Sequence, residues 1–131
     1  MSVNPLKKNK KVLFVIEESP TSHLRHFEAM RMALGFSVTH GGMKILLRGR
    51  GVLALREVQP LLIGLPPELL EVLPLLADLS VGICVEAESL SRYLPGHRVS
   101  GSEKIISRAE GIDLVLDSDL VLGFWGQGRV A

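Results

Sequence analysis

Cys84 is the only cysteine of this 131-residue chain, and it stands within the apolar stretch VGICVEAESL, residues 81–90. A thiolate is a sulfur nucleophile, and thiolates carry out thiol–disulfide exchange and sulfur transfer. A lone cysteine cannot close an internal disulfide, and no CxxC motif or Cys/His cluster indicates zinc. Cys84 is therefore either a packed, inert side chain or a reactive thiol. Without further information, the usual burial of free cysteine favours the packed alternative.

The neighbours of Cys84 in the sequence act on its reactivity in opposite directions. Glu86 and Glu88 follow it closely, and carboxylates beside a thiol oppose its ionisation. However, Cys84 stands near the end of a predicted strand. In open parallel sheets ligand sites gather there, and the N-terminus of the following helix favours an anion. The residues alone leave both alternatives open.

Five further residues are candidates for binding. The loop ESPTSH, residues 18–23, offers the hydroxyl groups of Ser19 and Ser22 and the imidazole of His23. A second histidine follows His23 three residues later, but no third ligand accompanies the pair, so we predict no metal site. His97 and Arg98 lie in the predicted loop PGHRVSG, where they would supply positive charge to an incoming sulfur anion.

Two loops bear on a nucleotide-binding alternative. The loop after the first predicted strand, EESPTSH, has hydroxyl groups but places two carboxylates in front of them, and these repel phosphate. The turn RGRG, residues 48–51, lacks the G-x-x-x-x-G-K-[ST] spacing of a phosphate-binding loop. We therefore predict no cofactor.

The elements that must position these residues follow from the hydrophobic pattern. Continuous apolar runs predict buried strands at residues 11–17, 43–49, 81–86 and 120–124. Amphipathic segments predict helices at 23–39, after the turn at Gly49 and Gly51, within the proline-rich stretch 60–79, at 87–94 and at 102–110, with Ser102 as the cap of the last. Strands that alternate with helices imply right-handed βαβ crossovers, so we predict a three-layer α/β/α fold with a mainly parallel sheet.

Composition limits the classes of partner and the cellular location. The net charge of +1 predicts no direct nucleic-acid partner, and no apolar run is long enough to span a membrane. We expect residues 1–10 to form a basic flexible tail, residues 11–131 to form a single domain, and the protein to be cytoplasmic.

The leucine-rich segment 60–79 holds more apolar side chains than one helix can bury within its own domain, which predicts a homo-oligomer: a trimer, dimer or hexamer in that order. The interface residues expected from this segment are Leu61, Leu62, Ile63 and Leu65.

The order and spacing of three motifs resemble the DsrE/DsrF-like family, which includes the sulfur-relay Tus proteins. The motifs are EAMRMALGFSVTHG, MKILLRGRGVLAL and GICVEAESL, and the resemblance covers Lys11 to Phe124. It implies a flavodoxin-like α/β fold, assembly into trimers or hexamers, and sulfur-donor and sulfur-acceptor proteins as partners.

The resemblance also assigns a role to the cysteine. In sulfur-relay members of the family, a cysteine after the corresponding strand accepts a persulfide and passes it on, in sulfur oxidation or tRNA thiolation. That role would fall on Cys84, and the protein would be a persulfide transferase. Other members lack this cysteine and act as structural partners. The alternative is therefore a non-catalytic oligomeric scaffold or ligand-binding module in which Cys84 is incidental.

Overall fold

One five-stranded sheet organises the part of the chain that the computed structural model describes, residues 10–19, 25–39, 42–55, 81–97 and 103–124. The strands are β1 Val12–Ile16, β2 Lys44–Leu47, β3 Gly82–Glu86, β4 Glu103–Ile106 and β5 Leu120–Phe124. The helices are α1 Arg25–Thr39, the 3-10 helix η1 Gly49–Leu55, α2 Ala87–Tyr93 and α3 Arg108–Asp117.

All neighbouring strands of the sheet are parallel, in the order β4-β3-β2-β1-β5. Every residue of the interior strand β1 is buried. An apolar strand of this kind requires cover on both faces of the sheet, which βαβ connections provide. The predicted α/β fold with a parallel sheet is therefore confirmed.

Two apolar clusters cover the two faces of the sheet. On one face, side chains of α1, η1 and α2 pack against alternate strand residues, among them Phe14, Ile45 and Val85. Phe14 also stacks on Phe124, with ring centroids 5.8 Å apart. On the opposite face, Leu114 and Val115 of α3 pack against a second cluster. The buried members of this second cluster are Leu13, Val15, Leu46, Cys84 and Ile106.

The predicted helix at residues 102–110 is wrong. Residues Glu103–Ile106 form the edge strand β4, and the helix begins only after Ser107. Ser107 is the N-cap of α3: its Oγ accepts a hydrogen bond from the backbone N–H of Glu110 at 3.1 Å, and the Glu110 carboxylate accepts one from the Ser107 N–H at 2.8 Å. This capping box satisfies two N–H groups that would otherwise lack partners, which explains why the helix begins there and not at Ser102.

The other predicted elements agree with the structure where residues are described. β1, β2, β3 and β5 lie within or at the predicted ranges, and α1 and α2 match the predicted helices to within two residues. Residues 1–9 of the expected tail and the whole proline-rich segment 60–79 lie outside the described residues, as do the interface residues expected from that segment. The division into a tail and one domain stays a prediction.

Candidate functional site

Cys84 lies in the middle of β3 and faces α3. It is paired with Leu46 on β2 and with Lys104 on β4, and its exposed fraction is 6%. The predicted position of Cys84, at the carboxyl end of the strand and beside the N-terminus of the next helix, is therefore wrong. Glu86 occupies that end, and α2 packs on the other face of the sheet. The dipole of α2 therefore does not stabilise the thiolate.

The thiol instead borders a cavity of about 480 Å³ between the sheet and α3. Lys44 and Gly82 begin β2 and β3, so the cavity lies toward the amino ends of the strands. A volume of this size falls within the range of roughly 300 to 1,000 Å³ that is typical of small-molecule sites. The residues that line the cavity are Lys44, Gly82, Ile83, Cys84, Lys104, Ile106, Glu110, Asp113, Leu114 and Asp117.

Two lysines stand on either side of the thiol. Lys104 is the strand partner of Cys84, so the side chains of both residues project from the same face of the sheet. Lys44 is paired with Gly82, and a Cβ atom at Gly82 would lie 3.2 Å from Cγ of Lys44. The absence of a side chain at Gly82 thus leaves room for the aliphatic chain of Lys44 across β3. Neither lysine is among the site residues that the sequence predicts.

The pKa of the Cys84 thiol is raised by burial, and the ammonium groups of Lys44 and Lys104 lower it in part. Burial disfavours the charged thiolate, whereas a nearby positive charge favours it. The thiol is consequently protonated at neutral pH. The raised pKa agrees with the expectation that ionisation of Cys84 is opposed. The cause of the raised pKa, however, is burial and not Glu86 or Glu88.

Acidic side chains of α3 form the opposite wall of the cavity. Asp117 pairs with Lys11 at 3.0 Å, and Glu110 is held in the capping box. The hydrogen bonds between Glu110 and Ser107 lower the pKa of the Glu110 carboxyl group. Asp113 also lines the cavity, and its side chain forms no ion pair or hydrogen bond with any other described residue. The cavity therefore presents positive charge from the sheet and negative charge from α3.

The carboxyl edge of the sheet holds a separate charged cluster around Glu86, which is 3% exposed. Its carboxylate lies 3.8 Å from Nε of Arg48 and 3.4 Å from a guanidinium nitrogen of Arg108. Ser89 donates a hydrogen bond to the same carboxylate at 2.5 Å and accepts one from the Gly49 N–H at 2.8 Å. These contacts join the ends of β2, β3 and β4.

The cluster also accounts for the second glutamate of the VGICVEAESL stretch. The Glu88 carboxylate accepts hydrogen bonds from the Arg108 N–H at 2.9 and 3.2 Å. Both glutamates that follow Cys84 are thus engaged at the carboxyl edge, and neither lines the cavity. This arrangement was not predicted, because the arginines are distant from the glutamates in the sequence.

The other predicted binding residues do not join Cys84 in the described part of the chain. Ser19 is buried after the carboxyl end of β1, and His97 follows α2, which packs on the other face of the sheet. Neither residue lines the cavity. Ser22, His23 and Arg98 lie outside the described residues.

The described ranges of the chain contain neither a cluster of metal-ligating side chains nor a helix that could span a membrane. No group of three or more His, Cys, Asp or Glu side chains within these ranges could hold a metal ion. None of the helices found there is both long and apolar enough to cross a membrane.

The open parallel sheet with helices on both faces defines a broad class of α/β proteins. Within this class, the chain is similar to the ychN protein from E. coli, known from a crystal structure. The TM-score is 0.75 at 20% sequence identity, and the match covers 88% of this chain and 99% of that one. At this identity the likeness shows the fold alone. Neither a known family model nor a curated protein matches the sequence.

Proposed function

We propose that this protein is a small persulfide carrier of the cytoplasm, resembling DsrE-like proteins, and that Cys84 is its sulfur-accepting residue. The observation that carries the proposal is the placement of the thiol: it borders a cavity of ligand size, between two lysines that have no ion-pair partner among the described residues. A cysteine that served only to fill the core would need neither the cavity nor the lysines.

The transfer step requires no oxidant or reductant. The Cys84 thiolate attacks the outer sulfur of a donor persulfide, a new S–S bond forms at Cys84, and the S–S bond of the donor breaks. The donor leaves as a thiolate, which takes up a proton from water or from the outer sulfur of the new persulfide at Cys84. The reverse attack, by an acceptor thiolate on the outer sulfur, delivers the sulfur and regenerates the Cys84 thiolate.

Lys44 and Lys104 assist this step electrostatically. Burial keeps the resting thiol protonated, so it is protected from unspecific oxidation. Positive charge on both sides stabilises the thiolate that attacks and the persulfide anion that results. Because both lysines are exposed, we expect each to contribute modestly, in the range typical of surface charges.

The experiment is an intact-mass measurement of the reduced protein after incubation with a persulfide donor. We expect the mass of one sulfur atom to be added to the wild type and to be removed again by a reductant. Cys84→Ser must abolish the addition. Because Cys84 is the only cysteine, added sulfur in that variant would assign the uptake to another group and overturn the proposal.

Matched lysine variants separate a built site from an unassisted thiol. We expect Lys44→Gln and Lys104→Gln each to slow sulfur uptake about two- to fivefold. The control is Arg31→Gln on α1, an exposed cation on the other side of the sheet, which should leave the rate unchanged. Equal rates in all four proteins would show that the lysines have no role.

The volume of the cavity supports a second candidate function, a ligand-binding module. A cavity of about 480 Å³ is far larger than one sulfur atom requires. If no sulfur is added to the wild type, retention of a small ligand by both the wild type and Cys84→Ser would support this alternative, with the cysteine as an incidental part of the wall.

A further inference from the structure

We propose that the sulfur donor of this cavity is a small amino-acid or short-peptide thiol persulfide that carries both a carboxylate and an ammonium group. This inference rests on the proposed function and specifies its substrate class. It follows from three properties of the cavity: the depth of the thiol, the separation of the charges in its walls, and its apolar lining.

The depth of the thiol favours a small donor over a protein donor. The outer sulfur of the donor must come within bonding distance of Cys84 Sγ, and Cys84 is only 6% exposed. Leu114 of α3 and Ile106 of β4 pack around it. A cysteine on the surface of a folded protein cannot approach Sγ without displacing α3, whereas a small molecule can enter the cavity.

The walls of the cavity carry opposite charges, and three of the charged residues form no ion pair with another described residue. Lys44 and Lys104 project from the sheet, and Asp113 projects from α3. None of the three forms an ion pair with a described residue, so a gap separates both ammonium groups from the Asp113 carboxylate. Lys104 acts only at longer range, on the Glu110 carboxylate. A ligand with both charges can bridge this gap: its carboxylate meets the lysines and its ammonium meets Asp113.

The remaining lining fits the short carbon chain between those charged groups. Ile106 and Leu114, which pack on the same face of the sheet as Cys84, contribute apolar side chains to the wall near the thiol. A ligand of this class would place its persulfide next to Cys84 and its two charged groups toward the exposed rim. A uniformly anionic donor such as inorganic polysulfide would satisfy the lysines but would be repelled by Asp113.

The chemistry is the balanced exchange described above, with the donor named by class. Cys84 thiolate attacks the outer sulfur of the amino-acid persulfide, the Cys84 S–S bond forms, the S–S bond of the donor breaks, and the amino-acid thiolate leaves and is protonated by water. No other reactant is needed.

The test compares four donors by the initial rate of sulfur addition to Cys84. They are cysteine persulfide, its N-acetyl derivative without the ammonium group, its ethyl ester without the carboxylate, and 2-hydroxyethyl persulfide without either charge. The intrinsic reactivity of each donor is corrected by its rate with Arg31→Cys in a Cys84→Ser background, whose thiol would stand on the exposed side of α1. We expect cysteine persulfide to react about two- to fivefold faster than each singly charged donor.

Asp113→Asn supplies the readout that a merely structural role would not give. We expect it to slow uptake from cysteine persulfide, which loses the partner of its ammonium group, and to leave uptake from the N-acetyl donor equal or faster, because that donor has no ammonium group and its carboxylate is repelled by Asp113. Glu28→Gln, an exposed carboxylate on α1, is the matched control and should change neither rate. Equal corrected rates for all donors, or an Asp113→Asn effect that is the same for both, would overturn the donor class.

Two outcomes distinguish failure of this inference from failure of the proposed function. Sulfur addition at equal rates from all four donors would leave Cys84 a carrier and overturn only the donor class. No addition from any donor would overturn the carrier function, and with it the donor class proposed here.

Discussion

Cys84 and Lys104 are paired across the parallel strands β3 and β4, so a buried thiol and an ammonium group share one face of the sheet. The two residues act on the same equilibrium in opposite directions. Burial of Cys84 raises the pKa of the thiol, and the charge of Lys104, together with that of Lys44, lowers it. Because burial has the larger effect, the reactivity of this cysteine depends on pH in a direction that can be measured.

The first prediction concerns the pH profile of alkylation. The rate with iodoacetamide follows the thiolate fraction, so it should rise with pH and reach its plateau above the range of an ordinary cysteine. The reference is Arg31→Cys in a Cys84→Ser background, with an exposed thiol on α1. A profile for Cys84 at or below that of the reference would contradict the burial that the structure shows.

The second prediction concerns the two lysines. Removal of either positive charge should raise the pKa of Cys84 further, because the causes that lower it are these two groups. At a fixed pH below the pKa, Lys44→Gln and Lys104→Gln should therefore slow alkylation about two- to fivefold, and the pH profile should move to higher pH. Arg31→Gln is the control. If the profiles of both lysine variants coincide with the wild type, the lysines do not act on the thiol.

The elements that the sequence predicts well are those whose pattern is continuous. β1, β2, β3 and β5 are apolar runs bounded by charged or turn residues, and α1 has a clear apolar stripe. β4 has four residues with Ile106 alone fully buried, because an edge strand needs little apolar surface. Its charged beginning, Glu103 and Lys104, resembles the first turn of a helix, and it was therefore predicted as part of one.

The candidate site could be predicted only in part, because the sequence does not show the order and register of the strands. Cys84 stands out in the sequence because it is the single thiol, whereas Lys44 and Lys104 become its neighbours only through the order and register of the strands. The same holds for Arg48 and Arg108, which meet Glu86 at the carboxyl edge. Alternation along each strand predicts which residues share a face, but it does not identify which strands lie side by side.

The third prediction uses two glycines with opposite surroundings. A Cβ atom at Gly51 would lie 2.0 Å from the carbonyl oxygen of Ile16, a backbone atom that cannot move aside. Gly51→Ala should therefore lower the free energy of unfolding by about 1–3 kcal/mol. Gly35, inside α1, has no atom within 4 Å of such a Cβ. Gly35→Ala should raise the free energy by about 0.5–1 kcal/mol, because alanine favours helix. Urea denaturation followed by circular dichroism measures both changes in the free energy of unfolding. The same change for Gly51→Ala as for Gly35→Ala would contradict the close approach at Gly51.

The fourth prediction concerns assembly, which we propose from the apolar content of residues 60–79. Light scattering at micromolar concentration should return a multiple of the 14.3 kDa chain mass, with a trimer expected before a dimer or hexamer. In the described part of the chain, Ile112 and Leu116 of α3 are exposed to 53% and 78%. Apolar exposure of this kind is more common at subunit contacts than on monomers. A mass of one chain would overturn the proposal of an oligomer.

The fifth prediction concerns Glu86, which we infer to be a structural residue of the carboxyl edge and not part of the cavity. Glu86→Gln keeps the shape of the side chain but removes the charge that attracts Arg48 and Arg108. Both arginines are partly exposed and stay hydrated, so the loss is smaller than for a fully buried pair: about 1–3 kcal/mol of unfolding free energy. The matched control, Glu28→Gln on the exposed side of α1, should change stability by less than about 0.5 kcal/mol.

The rate of sulfur uptake provides the second readout for Glu86. Since the carboxylate does not line the cavity and is engaged with Ser89 and the two arginines, Glu86→Gln should leave uptake at Cys84 within about twofold of the wild type at a temperature where both proteins are folded. A variant of wild-type stability whose uptake rate falls tenfold would contradict this assignment. Such a result would place the Glu86 carboxylate in the transfer step.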